Sequence, residues 1–153
     1  VRDVDHFRYK SGNLHAEDVA LRDIAAEVGT PFYVYSTATL ERHFRLVDEA
    51  LSGVDHLVCY AMKAASNQAI IKTLAALGAG MDVVSGGEYL RAVKAGVPKD
   101  RIVFSGVGKT REEMEMIVQG GVRQVNVESE PEMVLLDQVA CAHDKKIPIT
   151  IRV

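Results

Sequence analysis

From Leu57 onward, short β-branched or apolar runs recur about every 22 residues and alternate with helical patterns, a period that suits repeated β-α units. The strand candidates are Phe32–Ser36, Leu57–Lys63, Gly80–Ser85, Arg101–Gly106, Gln124–Ser129 and Pro148–Val153. Amphipathic stretches at Thr37–Ser52, Asn67–Leu77, Gly86–Ala95, Thr110–Gln119 and Glu130–His143 lie between them. Successive units with tight connections predict right-handed crossovers and a parallel sheet. Two architectures satisfy this pattern, a doubly wound open sheet and part of a closed barrel. A barrel takes eight strands and typically about 250 residues, so this chain would supply only the first five or so β-α units.

The helix starts are signalled locally. Ser85-Gly-Gly-Glu88, Thr110-Arg-Glu-Glu113 and Ser129-Glu-Pro-Glu132 have capping-box spacing, in which two unpaired backbone donors are satisfied reciprocally. Pro131 falls in a first helical turn, where a missing N–H costs little. Gly78, Gly96 and Gly120-Gly121 fall where helices should end.

A parallel strand covered on both faces should be almost continuously apolar. Several of these strands break that rule toward one end. Alternation puts Leu57, Cys59, Ala61 and Lys63 on one face. Asp82 interrupts Met81-Asp-Val-Val84, while Val125–Glu128 and Ile149–Arg152 send Asn126, Glu128, Thr150 and Arg152 to one side. Lys63, Glu128 and Arg152 then gather at the C-terminal ends of the strands, with Asp82 just below. Both barrels and open sheets place their sites at that end.

A structural ion-pair network accounts for Asp82, Glu128 and Arg152 as well as a site does. Capping explains Ser85, Glu88, Glu113 and Glu132. Lys63 could snorkel out of its strand end. Held against a low-dielectric wall, the same amine loses affinity for its proton and becomes the nucleophile that a Schiff base requires.

Other classes fit less well. A net charge of -3 marks no nucleic-acid or anionic-membrane partner. No apolar run approaches the roughly 20 residues of a membrane span, and VRDVDHFRYK lacks a signal-peptide core. Cys59 and Cys141 form no CxxC pair and read as free thiols in a reducing cytoplasm. His6, His15, His43, His56 and His143 show no metal-ligand spacing. Gly106-Val-Gly108-Lys109-Thr110 resembles a P-loop tail, but Val103 stands where that motif needs a glycine, so Lys109-Thr110 reads as a loop entering a capped helix. A nucleotide-binding open α/β domain is disfavoured by that spacing and by the lack of GxGxxG. The chain starts on Val1 and stops on ITIRV in mid-pattern, which suggests an excerpt of a longer one.

Tyr60-Ala-Met-Lys63-Ala resembles the Tyr-Ala-x-Lys segment of the barrel-type pyridoxal-phosphate decarboxylases, whose lysine carries the cofactor as a Schiff base. Gly29-Thr-Pro-Phe-Tyr-Val-Tyr35, Gly80-Met-Asp82-Val-Val-Ser85-Gly-Gly-Glu88 and Val125-Asn-Val-Glu128-Ser129 resemble further segments of the family in order and spacing. The Gly-Thr-Pro-Phe-Tyr-Val-Tyr and Ser-Gly-Gly-Glu variants are most similar to members that decarboxylate meso-2,6-diaminopimelate to L-lysine. Members acting on ornithine or arginine are the close competitors.

The resemblance implies a (β/α)8 barrel, pyridoxal 5'-phosphate as cofactor, and Lys63 as the lysine that holds it. It places Asp82 and Arg152 beside the cofactor and Ala61 against its ring. Ser85, Glu88 and Glu128 are further candidates. Ser105-Gly106 departs from the His-Gly pair of relatives, so no role is carried over there. Residues 1–36 would include a strand of a second β-domain, and residues 37–153 would begin the barrel. The resemblance further implies a cytoplasmic homodimer with shared active sites and a small amino-acid substrate, with no metal. Its remaining cofactor and substrate contacts would come after position 153, so the stretch alone should be inactive. A non-catalytic pyridoxal-phosphate carrier of the same barrel type is the alternative within this resemblance.

Overall fold

The computed structural model describes residues 5–153. Its first element is a small antiparallel sheet of β1 (Phe7–Lys10), β2 (Asn13–Ala16) and β3 (Val19–Ala20), followed by α1 (Leu21–Val28). Ser11 and Gly12 both carry positive φ in the two-residue link between β1 and β2, the geometry that matches a hairpin's twist. Nothing in the strand patterning of the sequence anticipates this sheet.

Helix α2 (Thr37–Ala50) then leads into four β-α units and a fifth strand. These comprise β4 (Cys59–Ala61), α3 (Gln68–Ala76), β5 (Gly80–Val83), α4 (Gly86–Lys94), β6 (Ile102–Phe104), α5 (Arg111–Gly120), β7 (Gln124–Val127), α6 (Glu130–Ala142) and β8 (Ile149–Ile151). Each long helix opens on a capping side chain. Ser36 accepts from Thr39 N–H, Asn67 from Ala69, Ser85 from Glu88, Thr110 from Glu113, and Ser129 from Glu132.

The five strands are parallel and lie in strict sequence order, β4-β5-β6-β7-β8. One face of this sheet carries Met81, Val83, Ile102, Phe104, Val125 and Val127, all buried with Ile71, Met114, Ile117, Leu136 and Val139 of the helices. The other face carries Cys59, Ala61, Asp82, Val103, Gln124 and Asn126, all partly exposed. Sequential order with the core on a single face is single winding. It is the wall of a barrel, and a doubly wound sheet would reverse strand order and bury both faces.

Two expectations are corrected. Residues Phe32–Ser36 form no strand and pair with none among the described residues, and Tyr33 is 92% exposed. Aromatic and β-branched residues favour a strand, but a strand also needs a partner edge. The wall strands also stop short of the predicted ends at Lys63, Ser85, Gly106 and Ser129. Ser85 and Ser129 leave the ladder because they cap the next helix, and Met62–Ala64 turns off as a single 3-10 turn.

Candidate active site

The parallel register fixes which residues share a height on the open face. Ala61 is opposite Asp82, Asp82 opposite Val103, and Val103 opposite Gln124. Two residues further along, Val84, Ser105 and Asn126 follow on the same face, with Asn126 opposite Thr150, while Lys63 lies in the 3-10 turn just past β4. A third layer toward the C-terminal rim carries Glu128 and Arg152. Barrel interiors are built from such layers, with sites at this rim.

Lys63 sits in the turn after β4, exposed, and makes no hydrogen bond or ion pair among the described residues. It therefore lies past its strand and not, in this chain, against an apolar wall. The reason is geometric, since β4 is an edge strand among the described residues and Lys63 falls in the turn beyond it.

Asp82 is the most distinctive group on the open face. Its Oδ1 is enclosed and has no hydrogen-bond partner among the described residues. A buried carboxylate oxygen in that state calls for a donor or a cation. Burial first, and then the charge of Asp82, push the Cys59 thiol up, with Arg123 opposing. The small groups at Ala61 and Gly80 beside Asp82 keep this part of the face low. Gly80 has no room for more, because a Cβ there would fall 2.6 Å from the Arg101 carbonyl oxygen and 2.8 Å from Cys59 Sγ.

At the rim, Arg152 Nη1 donates to Glu128 Oε1 at 2.9 Å, so these two are brought together. Arg152 is largely exposed, and an exposed pair of this kind contributes little stability. Lys63 and Arg152 stand at opposite edges of the same wall, four strands apart, or about 19 Å measured along the sheet. They share a face without touching.

Ser85 and Glu88 are engaged in capping. Ser85 Oγ accepts from the Glu88 N–H at 3.3 Å, and Glu88 Oε2 accepts from the Val84 N–H at 2.8 Å, one residue upstream of the expected capping-box partner. Glu113 completes its own capping box with Thr110 and also accepts from the Gly86 N–H at 2.7 Å, so one carboxylate serves two helix starts.

Sequence reasoning missed Lys109 altogether. Expected in a loop entering a capped helix, it is buried: its ammonium donates to Glu132 Oε1 and to the Asn126 carbonyl, each at 2.6 Å, and lies 5.9 Å from the Phe104 ring centre. Glu132 thus spends its carboxylate on Lys109, and only the Ser129 half of the predicted capping box forms. On the inner face, Asn126 Nδ2 donates to Ser105 Oγ at 2.9 Å, and Asn126 Oδ1 accepts from Gln124 at 3.0 Å. The alternation of Val125–Glu128 exposed Asn126, but not its partner across the strand.

An unpaired amine, an unpartnered carboxylate oxygen and an arginine at one rim suit an aldehyde cofactor with polar substituents. Residues 37–153 match the family described as pyridoxal-dependent decarboxylase, pyridoxal binding domain. The diaminopimelate decarboxylase of Vibrio cholerae is 48% identical over 151 residues, covering 98% of this chain and 36% of that protein. That of Pseudomonas fluorescens is 49% identical with the same coverage. The chain thus spans little more than a third of the length of these curated relatives. The diaminopimelate decarboxylase of M. jannaschii, solved in complex with L-lysine, superposes with a TM-score of 0.93 at 34% identity, over 99% of this chain and 36% of that one. The single-wound wall is therefore part of a TIM-type barrel, and this chain belongs to the pyridoxal-dependent decarboxylases through their pyridoxal binding domain.

Proposed function

We propose that this chain supplies the lysine and one wall of the cofactor site in an enzyme that converts meso-2,6-diaminopimelate to L-lysine and CO2. The observation that carries this reading is the placement of Lys63, an uncommitted amine in the turn two residues beyond Ala61, which is itself opposite Asp82 on the open face. The high identity to diaminopimelate decarboxylases along nearly the whole chain supports the substrate.

Pyridoxal 5'-phosphate, when bound, supplies an electron sink for the pair released as CO2 leaves. The chain's own residues would do the rest locally. Lys63 would hold the cofactor covalently through Nζ. The Ala61 methyl, two residues below on the same face, would offer apolar contact without bulk. Asp82 Oδ1 would accept from a donor or face a cation at the site, ending its present lack of a partner. Arg152, steadied by Glu128, would present a cation at the far edge of the wall.

Lys63 is exposed in this stretch, and covalent chemistry of this kind needs water kept out. The reading therefore assigns the covering surface to segments of a longer chain and to a second subunit in a homodimer. Residues 1–36 would belong with a second β-domain and residues 37–153 with the barrel, and the stretch 1–153 alone would not turn over substrate. The setting would be the cytoplasm, and among the described residues no helix is long and apolar enough to cross a membrane.

The test uses the full-length protein. With pyridoxal phosphate it should show a visible absorption band that Lys63→Ala abolishes, and CO2 release should be far faster from diaminopimelate than from ornithine or arginine. Persistence of the band in Lys63→Ala would overturn the assignment of the lysine, and preference for ornithine or arginine would overturn the substrate.

A further inference from the structure

We propose that Ser105 is a cofactor-contacting residue, its hydroxyl donating a hydrogen bond to the phenolate oxygen of the pyridoxal ring, with Asn126 as the residue that positions it. This rests on the cofactor reading above and adds a contact which that reading leaves unassigned.

Three observations carry it. Ser105 follows β6 two residues past Val103 on the open face, its N–H donating to the Val83 carbonyl, and Lys63 lies in the turn just past β4, two strands away, or about 10 Å along the sheet. A lysine and a serine at that separation could both reach one ring bound between their strands. Next, the Ser105 hydroxyl is oriented. It accepts from Asn126 Nδ2 at 2.9 Å, and Asn126 is itself fixed by Gln124 through Oδ1. With an acceptor site of its oxygen filled by Asn126, and with no acceptor for its own proton among the described residues, the serine O–H is left to donate into the open face. Third, the backbone behind this pair is pinned from the helix side. The buried Lys109 ammonium holds the Asn126 carbonyl at 2.6 Å while paired to Glu132. An orienting shell two residues deep is what a precise polar contact needs and what a solvated serine would not have.

The acceptor follows from chemistry. The phenolate is the anionic oxygen of the pyridoxal ring adjacent to the carbon that the Lys63 amine would attack. A donor on the open face two strands from the lysine is suited to it. Thr150 shares the face but lies exposed on the edge strand and has no orienting partner among the described residues.

The test is cofactor binding to full-length protein, followed by absorption and by fluorescence titration, with near- and far-ultraviolet circular dichroism as a check of folding. Ser105→Ala should weaken pyridoxal phosphate binding by about tenfold, the size of one lost hydrogen bond, and shift the visible band or the pH at which it titrates. Ser105→Thr, which keeps the hydroxyl, should restore most of both. Asn126→Ala should produce the same spectral change as Ser105→Ala, and the double variant should add little to either. If Ser105→Ala binds the cofactor within twofold of wild type with an unchanged band and titration, while Lys63→Ala loses the band, the inference fails and the cofactor reading stands. If wild-type protein shows no band at all, both fail.

Discussion

The Lys109 ammonium meets the Glu132 carboxylate at 2.6 Å, with the lysine side chain fully enclosed and the glutamate nearly so. Such a pair is a risk to stability if either half is lost, because the survivor is a buried charge without compensation. Lys109→Met or Glu132→Leu alone should therefore cost about 3–5 kcal/mol in urea unfolding, while the double variant should recover most of that loss. A double variant as unstable as the sum of the singles would show that the two do not act as a pair. The Lys109→Met variant should also loosen β7 at Asn126, since the same ammonium holds that carbonyl.

Glu113 bridges two helix starts. Its Oε2 accepts from Thr110 N–H and its Oε1 from Gly86 N–H. Thr110→Ala should cost about 1 kcal/mol, the usual loss for one cap. Glu113→Ala removes partners from both helices and should cost more, about 1–2 kcal/mol. Amide exchange separates them, because only the Glu113 change should speed exchange at Gly86. Equal protection of Gly86 in both variants would refute the bridge.

What the sequence revealed and what it concealed divides along physical lines. The caps at Ser85, Thr110 and Ser129 were legible because a helix start is a local event within four residues. The single polar face of the wall was legible because a strand's period of two displays it in any order of strands. Lys109 was not legible. Its partner is 23 residues away, and the spacing of Ser129 to Glu132 suggests a cap that consumes the same carboxylate. The β1–β3 sheet was hidden because its strands are no longer than four residues and its links use Ser11 and Glu17 in the left-handed region, which neither residue advertises. Phe32–Ser36 misled for the opposite reason, having strand composition with no edge to join. The choice between barrel and open sheet needed strand order, which no short motif encodes.

Gly106 lies where β6 turns toward α5, directly behind Ser105. A Cβ at this position would fall 2.2 Å from the Val84 carbonyl oxygen and 2.8 Å from its carbon, which are backbone atoms that cannot rotate away. Gly106→Ala should therefore destabilise by about 1–3 kcal/mol through overpacking. Because the strands must part to admit the methyl, cofactor affinity should fall with stability. An unfolding midpoint within error of wild type would show that the two strands are free to separate there.

The small antiparallel sheet is fastened to the barrel through one carboxylate. Glu17, in the link between β2 and β3, accepts at Oε1 from the Ser36 hydroxyl at 2.7 Å and from the Ala38 N–H at 3.0 Å, so it supports the start of α2 from outside. The Ala38 amide, and then the Ser36 hydroxyl, hold its carboxyl below the ordinary glutamate value, with burial opposing weakly. A carboxyl lowered in the folded state binds protons less readily than in the unfolded one. It thus contributes stability above the ordinary glutamate range, and that contribution is lost as the pH falls through its depressed value. Amide exchange at Ala38 and Thr39 should accordingly quicken on acidification before the wall strands lose protection. Glu17→Gln should abolish that step, leaving the amides equally exposed at neutral and acid pH. Should the wild-type amides keep constant protection down to the pH at which the wall unfolds, the α2 start must be held by other contacts, such as the Thr39 hydroxyl bound to the Asp5 carbonyl.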